Sequence, residues 1–217
     1  ARESGPDIRL LVDVSRSFGP ENAMNNLNHV LAYNKAKPND RIIGIGLGGQ
    51  EIGHPCREYV DVFKKAREAG LHTVAHAGEE VGPESIFEAI DILKAERIGH
   101  GTSAIQDPKL MDELKKRAIP LEICPASNVI TGKYVQRYED HPILPYFRHG
   151  MTVTLNTDDP VLFSVELVDE YRLVAEKLGF TKAEMVQIAR NGIIASFMDA
   201  AAKKQALAAL DAAAAVK

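Results

Sequence analysis

The 217-residue chain is long enough for one sizeable core, and its 45% hydrophobic and 26% charged content is that of an ordinary water-soluble globular domain. A formal charge of −4, with both signs interspersed, leaves no basic footprint for nucleic acid, and no apolar run approaches the ~20 residues of a membrane helix. Two cysteines, Cys56 and Cys124, are too few for a disulfide framework, which points to a reducing cytoplasm.

The chain opens "ARESGPDIRL" with neither an initiator methionine nor a signal peptide, so a preceding segment is expected. "IRLLVDVS" (8–15) reads as a strand, and "PENAMNNLNHVLAYNKA" (20–36) as a helix with Pro20 in its first turn. "RIIGIGLGG" (41–49) is the next strand, followed by "REYVDVFKKAREAG" (57–70), whose Val60, Phe63 and Ala66 have helical spacing and whose Gly70 is a stop signal. "LHTVAHAG" (71–78) leads to "PESIFEAIDILKA" (83–95), "RIGHG" (97–101) to "DPKLMDELKKRA" (107–118), and "LEICPAS" (121–127) to a looser stretch ending "HPILPYFRHG" (141–150). "MTVTLNTDD" (151–159) is the sixth strand, with two helical stretches from 164 to 197 after it. The alanine-dominated tail (198–217) predicts a peripheral helix.

Strand and helix thus alternate at a repeat of roughly thirty residues, the size of a βαβ unit, which requires a parallel sheet. The fold class is α/β, either a doubly wound open sheet or a (β/α)8 barrel. "GIGLGG" (44–49) has the letters of a dinucleotide fingerprint, but "QEIGHPC" after it does not form a helix and no acidic residue is suitably placed beyond.

Ionisable residues gather at the strand ends: His76 and Glu79 after the third strand, His100 after the fourth, Asp158 and Asp159 after the last. In a parallel barrel these ends share the face where such folds keep their active sites. Taken singly each has a plain alternative, since a strand histidine is commonly a hydrogen-bonded core residue and adjacent aspartates can cap the helix after Pro160. His29 and His72 are read in that plain way, and His149 beside Gly150 as the last turn of a helix. Capping explains none of the histidines, however, and two imidazoles with a carboxylate suit zinc, which lowers the pKa of a water molecule to about 7. Glu79, three residues beyond His76, is then placed for general acid–base work.

"HAGE" (76–79), "RIGHG" (97–101) and "LNTDDP" (155–160), with "GIGLGGQE" (44–51) and "ICPASN" (123–128) among them, resemble the motifs of the adenosine deaminases and their relatives, over about residues 7–197. The resemblance implies a zinc-containing TIM-type (β/α)8 barrel that replaces a purine 6-amino group with oxygen. By motif, His76 and Asp158 would be metal ligands, Glu79 would protonate ring N1, and His100 would orient and stabilise the attacking hydroxide. Asp159 would hydrogen-bond purine N7, and Gly49 would bring backbone close to the ring.

The chain departs from that family in two places. No His-x-His occurs, although the family's first strand carries one as two further zinc ligands, and only six of eight strands are visible. Residues 1–217 are therefore expected to be one barrel domain lacking its first two β/α units, completed by a missing N-terminal segment or a second chain. Gly46 and Gln50 stand where typical adenosine deaminases have acidic residues, a pattern closer to relatives acting on 6-aminodeoxyfutalosine. Gly99 stands where relatives acting on free adenine tend to have Asp. The expected function is zinc-dependent deamination of adenosine or 6-aminodeoxyfutalosine. The alternatives are an adenine deaminase, another metal-dependent amidohydrolase, or an inactive binding module. Neither H-x-E nor P-C-x-x-C occurs, which excludes the zinc deaminases of nucleic-acid bases.

Overall fold

The computed structural model describes residues 7–38 and 41–215. In chain order it contains β1 (Leu10–Asp13), α1 (Gly19–Ala36), β2 (Ile42–Leu47), α2 (Val60–Glu68), β3 (His72–Ala77), α3 (Pro83–Asp91), β4 (Arg97–His100) and α4 (Pro108–Lys116). There follow β5 (Leu121–Ile123), α5 (Pro125–Thr131), α6 (Ile143–His149), β6 (Val153–Leu155), α7 (Pro160–Phe163), α8 (Leu167–Leu178), α9 (Lys182–Ala195) and α10 (Ala200–Ala214).

The six strands form one sheet, all neighbours parallel and all adjacent in chain order. A doubly wound sheet reverses its strand order at a switch point, whereas an unbroken sequential order is that of a TIM-type barrel. About six of the barrel's β/α units are present. The expected α/β barrel architecture is the one observed, and no helix among the described residues is long and apolar enough to cross a membrane.

Alternation of side chains along each strand divides the sheet into two faces. One packs against the helices and is apolar: Ile45, Leu47, Ala75, Ile98, Ile123 and Val153 all belong to the buried core. The other carries polar groups, including the Arg97–Glu122 ion pair at 2.9 Å, which joins β4 to β5. The helices dock by ordinary amphipathic logic. On α4, Leu110, Met111 and Leu114 are buried while Lys115 and Lys116 end the last turn. Each such leucine contributes about 1.5–3 kcal/mol by leaving water. Asp107 caps α4 by accepting the N–H groups of Lys109 at 2.9 Å and Leu110 at 3.3 Å, and Thr181 with Glu184 forms a reciprocal capping box on α9.

Several boundaries differ from the sequence expectation, among them a sixth strand confined to Val153–Leu155 and a short helix over Pro160–Phe163 ahead of the two expected from 164. The first strand stops at Asp13 because its carboxylate takes the N–H of Ser15 and of Gly48, each at 2.8 Å, and turns the chain. The helix expected over 57–70 opens with a 3-10 turn over Cys56–Tyr59. The stretch between β5 and β6, expected to be loose, holds α5 and α6; α5 buries Ser127 and Asn128 beside Pro125 and Ala126, so it has no apolar stripe to read. Beyond α9, α10 lies along it through an Arg190–Asp211 ion pair and a bond from Lys203 Nζ to the Ile194 carbonyl at 2.8 Å.

Candidate active site

The ends of β3, β4 and β6 bring three distant segments together. His76 pairs in register with Gly99 on β4, and its ring lies directly over that glycine. A Cβ at position 99 would sit 2.3 Å from His76 Cδ2, so a side chain there would push the ring from this position. The rings of His76 and His100 meet edge to face, with centroids 4.8 Å apart. His100 (φ 61°) and Asp158 (φ 57°) both have left-handed backbone, which costs a non-glycine residue of order 1–3 kcal/mol and is concentrated at functional positions. Here it turns both side chains off the ends of their strands toward a common point.

At that point His100 Nε2 lies 3.2 Å from Glu79 Oε2 and 3.9 Å from Asp158 Oδ2. Asp158 also accepts a bond from Ser127 Oγ at 2.6 Å, and Thr131 Oγ1 is 3.4 Å from Glu79 Oε1. On the far side of the imidazole, Asn128 Nδ2 is 2.9 Å from His100 Nδ1. Burial raises the Glu79 carboxyl to about 7, against a smaller opposing pull from the His76 imidazole. Burial also lowers the pKa of His76, assisted by the neighbouring His100, and that of His100. Both rings are therefore held toward the neutral form, the form that binds metals.

Loops after β1 and β2 support this cluster. The buried carboxylate of Glu51 accepts the N–H groups of Gly78, Glu79, Glu80 and Val81 at 2.7–3.1 Å, and the Ser85 hydroxyl as well. Glu80 returns the contact by accepting the Glu51 N–H at 2.7 Å. The fully buried Arg16 guanidinium donates to the His76 carbonyl at 2.5 Å and to the His54 carbonyl at 3.2 Å. Behind α5, the buried Glu170 accepts the Ala126 N–H at 3.1 Å, which fixes the turn bearing Ser127 and Asn128.

All six residues singled out from the sequence, Gly49, His76, Glu79, His100, Asp158 and Asp159, line one cavity of about 480 Å³. Gly49 has φ 87°, and a Cβ there would meet Ser17 Oγ at 2.5 Å, so only glycine lets the chain pass. Asp159 stands at the N-cap of α7 but its side chain makes no capping bond, so capping does not account for it. His149 ends α6 and pairs with Asp112 at 2.9 Å, away from the site.

Sequence reasoning gave no role to Glu51, Ser127, Asn128, Arg16 or His141. Glu51, Ser127 and Asn128 lie inside "GIGLGGQE" and "ICPASN", and their being polar where a strand meets a helix was the available signal. Arg16 and His141 carried none.

Ligand atoms from His76, Glu79 and His100 lie within 4.8 Å of one another, and so do those of His100, Cys124 and Asp158. Burial pushes the Cys124 thiol well above its ordinary pKa. The imidazoles and carboxylates of the two groups are donors of the kind that suits zinc.

A family model described as "Adenosine deaminase" matches residues 1–213. An aminodeoxyfutalosine deaminase of Streptomyces coelicolor is 42% identical over 201 residues, covering 93% of this chain and 51% of that protein. An adenosine deaminase of Shewanella denitrificans is likewise 42% identical over 202 residues, covering 93% of this chain and 59% of that protein. The crystal structure of an adenine deaminase from Arthrobacter aurescens superposes with a TM-score of 0.88 at 33% identity, over 94% of this chain and 61% of that one. A Burkholderia amidohydrolase solved with bound Zn superposes with a TM-score of 0.86 at 26% identity, over 95% and 56% respectively. The chain thus spans roughly half to three fifths of the length of these proteins.

Proposed function

The chain belongs to the adenosine deaminase family, and on that footing we propose that the protein it comes from is a zinc-dependent hydrolytic deaminase of a 6-aminopurine nucleoside-type substrate. Adenosine and 6-aminodeoxyfutalosine are the two candidates. One observation carries this: Glu79 and Asp158, from separate strand ends, come within 3.2 and 3.9 Å of His100 Nε2 in a cavity that also holds His76, Gly49 and Asp159. The residues present are six units of one barrel domain, and a segment or chain outside them supplies the rest, including the remaining metal ligands. The Ala-rich helix is an appendage to that domain, and the protein works in the cytoplasm.

His76 and Asp158 would hold the metal: each offers a donor atom to one of two groups that meet at His100, and Ser127 fixes the Asp158 carboxylate. Zinc bound there supplies Lewis acidity that brings the pKa of a water molecule toward 7. The rest is the work of side chains. His100 presents an imidazole nitrogen between Glu79 and Asp158, where it orients the attacking oxygen. Attack at C6 pushes electrons onto ring N1. Glu79, with its carboxyl near 7, both gives and takes a proton at neutral pH and delivers one to N1. A C–O bond forms, the C–N bond breaks, and ammonia leaves with the proton balance closed by water. Asp159 lines the same cavity and would hydrogen-bond purine N7. Gly49 lets the backbone approach the ring.

Gly46 on β2 and Gln50 replace two acids that adenosine-specific relatives carry, which favours 6-aminodeoxyfutalosine, while the equal identity to relatives named for each substrate keeps adenosine in play. Ammonia release by the full-length protein from adenosine, adenine and 6-aminodeoxyfutalosine, with metal content measured by elemental analysis, is the test. Turnover of a 6-aminopurine with about one zinc per protein is expected. No ammonia from any of the three, with purine binding retained, would leave a binding module instead.

A further inference from the structure

Behind the site runs a buried file of polar groups whose proton positions can be deduced from one end. Ile143 N–H points at His141 Nδ1 at 3.1 Å. His141 Nε2 is 3.2 Å from Asn128 Oδ1, and Asn128 Nδ2 is 2.9 Å from His100 Nδ1. His141, Asn128 and His100 are each 2% exposed, so water does not substitute for any of these partners.

A main-chain N–H can only donate, so His141 Nδ1 must be the bare nitrogen. Burial lowers the pKa of His141 to about 3, so the ring is neutral and its one proton sits on Nε2. That proton requires an oxygen on Asn128, which turns the amide NH2 toward His100 and requires His100 Nδ1 to be bare as well. The neutral His100 ring then carries its proton on Nε2, facing Glu79 and Asp158. Reversing any one member would set two donors or two acceptors face to face, back to Ile143, whose N–H has no alternative.

We propose that His141 and Asn128 are positioning residues that lock His100 in the Nε2–H tautomer, making it a hydrogen-bond donor to the attacking oxygen and neither a metal ligand through Nε2 nor the base that takes the oxygen's proton. The catalytic side of this rests on the deaminase function proposed above, but the tautomer does not.

The test uses full-length, zinc-loaded protein with 15N-labelled histidine. In the wild type, His100 and His141 should each show a bare Nδ1 and a protonated Nε2; a protonated His100 Nδ1 overturns the proposal whatever the protein's activity. Asn128→Asp replaces the amide donor with an acceptor of the same shape, so His100 Nδ1 should gain a proton. The ring then either bares Nε2 or becomes a cation, and kcat should fall by ~10²-fold or more with KM and zinc content little changed. Unchanged turnover overturns the positioning role. Should Asn128→Asp fail to fold, the paired variants His141→Leu and His141→Gln decide. Glutamine still offers an N–H to Asn128 Oδ1 and should recover most of the kcat that leucine loses, and equal rates in the two sink the idea. If the wild type deaminates nothing, the functional proposal falls, while the 15N spectrum still judges the tautomer.

Discussion

The carboxylate of Glu51 accepts the main-chain N–H of Glu79 at 3.1 Å, although the two residues sit on loops that follow different strands. The same carboxylate takes the N–H groups of Gly78, Glu80 and Val81, so the proposed proton donor stands on a turn held by one buried anion. Glu51→Ala would leave those four donors without their acceptor, and each charged bond of this kind contributes about 1.5–3 kcal/mol. Partial rehydration of the turn recovers some of that. A net loss of about 3–5 kcal/mol is expected in urea unfolding of the full-length protein, and a loss below 1 kcal/mol would show that the turn needs no anchor.

Gly99 faces the His76 ring from the neighbouring strand, where a Cβ would come within 2.3 Å of Cδ2. Gly99→Ala must push the imidazole aside, and displacing a ligand's support typically costs ~10–100-fold in metal affinity. Competition with a chelator should show that loss in the variant while its unfolding midpoint in apo form moves little. Equal zinc affinity in the two proteins would mean that His76 does not bind the metal.

How much of this was legible beforehand follows from where the signal resides. Apolar runs such as "LHTVAHAG" and amphipathic stretches such as "DPKLMDELKKRA" announce themselves through burial, and the parallel sequential sheet follows from their alternation. His76, His100 and Asp158 could be singled out because a polar group at the end of an apolar strand is anomalous. The helix α5 could not, since its buried residues include Ser127 and Asn128, whose partners are His100 at the end of β4 and Asp158 beyond β6. His141 was equally silent: its value is in bonds to Asn128 and Ile143 that no local pattern encodes. Arg16 carried no local signal either: it is 0% exposed because the His76 and His54 carbonyls receive its guanidinium.

Glu170 supplies a pH-dependent prediction away from the metal cluster. Burial raises its carboxyl to about 7 from an ordinary 4.5, and both of its oxygens accept from one donor, the Ala126 N–H. Between those two pH values the folded protein keeps a proton that the unfolded chain has released, so stability falls as pH rises through the window. A shift of this size corresponds to at most about 3 kcal/mol. Glu170→Gln keeps an oxygen for Ala126 and has no proton to lose. The variant should therefore gain about 1–3 kcal/mol over the wild type on going from pH 5 to pH 8, measured by urea unfolding at each pH. A stability difference that does not change with pH would place the Glu170 carboxyl near its ordinary value.

Glu79 and Asp159 separate purine deamination from metal-assisted hydrolysis in general. Charge that develops on the ring as C6 is attacked is relieved by protonating N1, and Glu79 lines the cavity beside His100 where that proton is needed. Glu79→Gln keeps the size and hydrogen-bonding capacity of the side chain but cannot exchange the proton. It should cut kcat by ~10²–10⁴-fold while zinc stays bound, since the proposed ligands are His76 and Asp158. Near wild-type turnover would remove Glu79 from the mechanism. Asp159→Ala tests the substrate class through a different atom. A hydrolase acting on a non-purine has no N7 to lose, whereas a purine deaminase should lose kcat/KM by ~10–100-fold as one hydrogen bond to the ring disappears. If ammonia release from a 6-aminopurine is indifferent to Asp159→Ala, the contact to N7 does not exist. If Glu79→Gln is nonetheless inactive, the proton transfer stands and the ring must be held by other groups in the cavity.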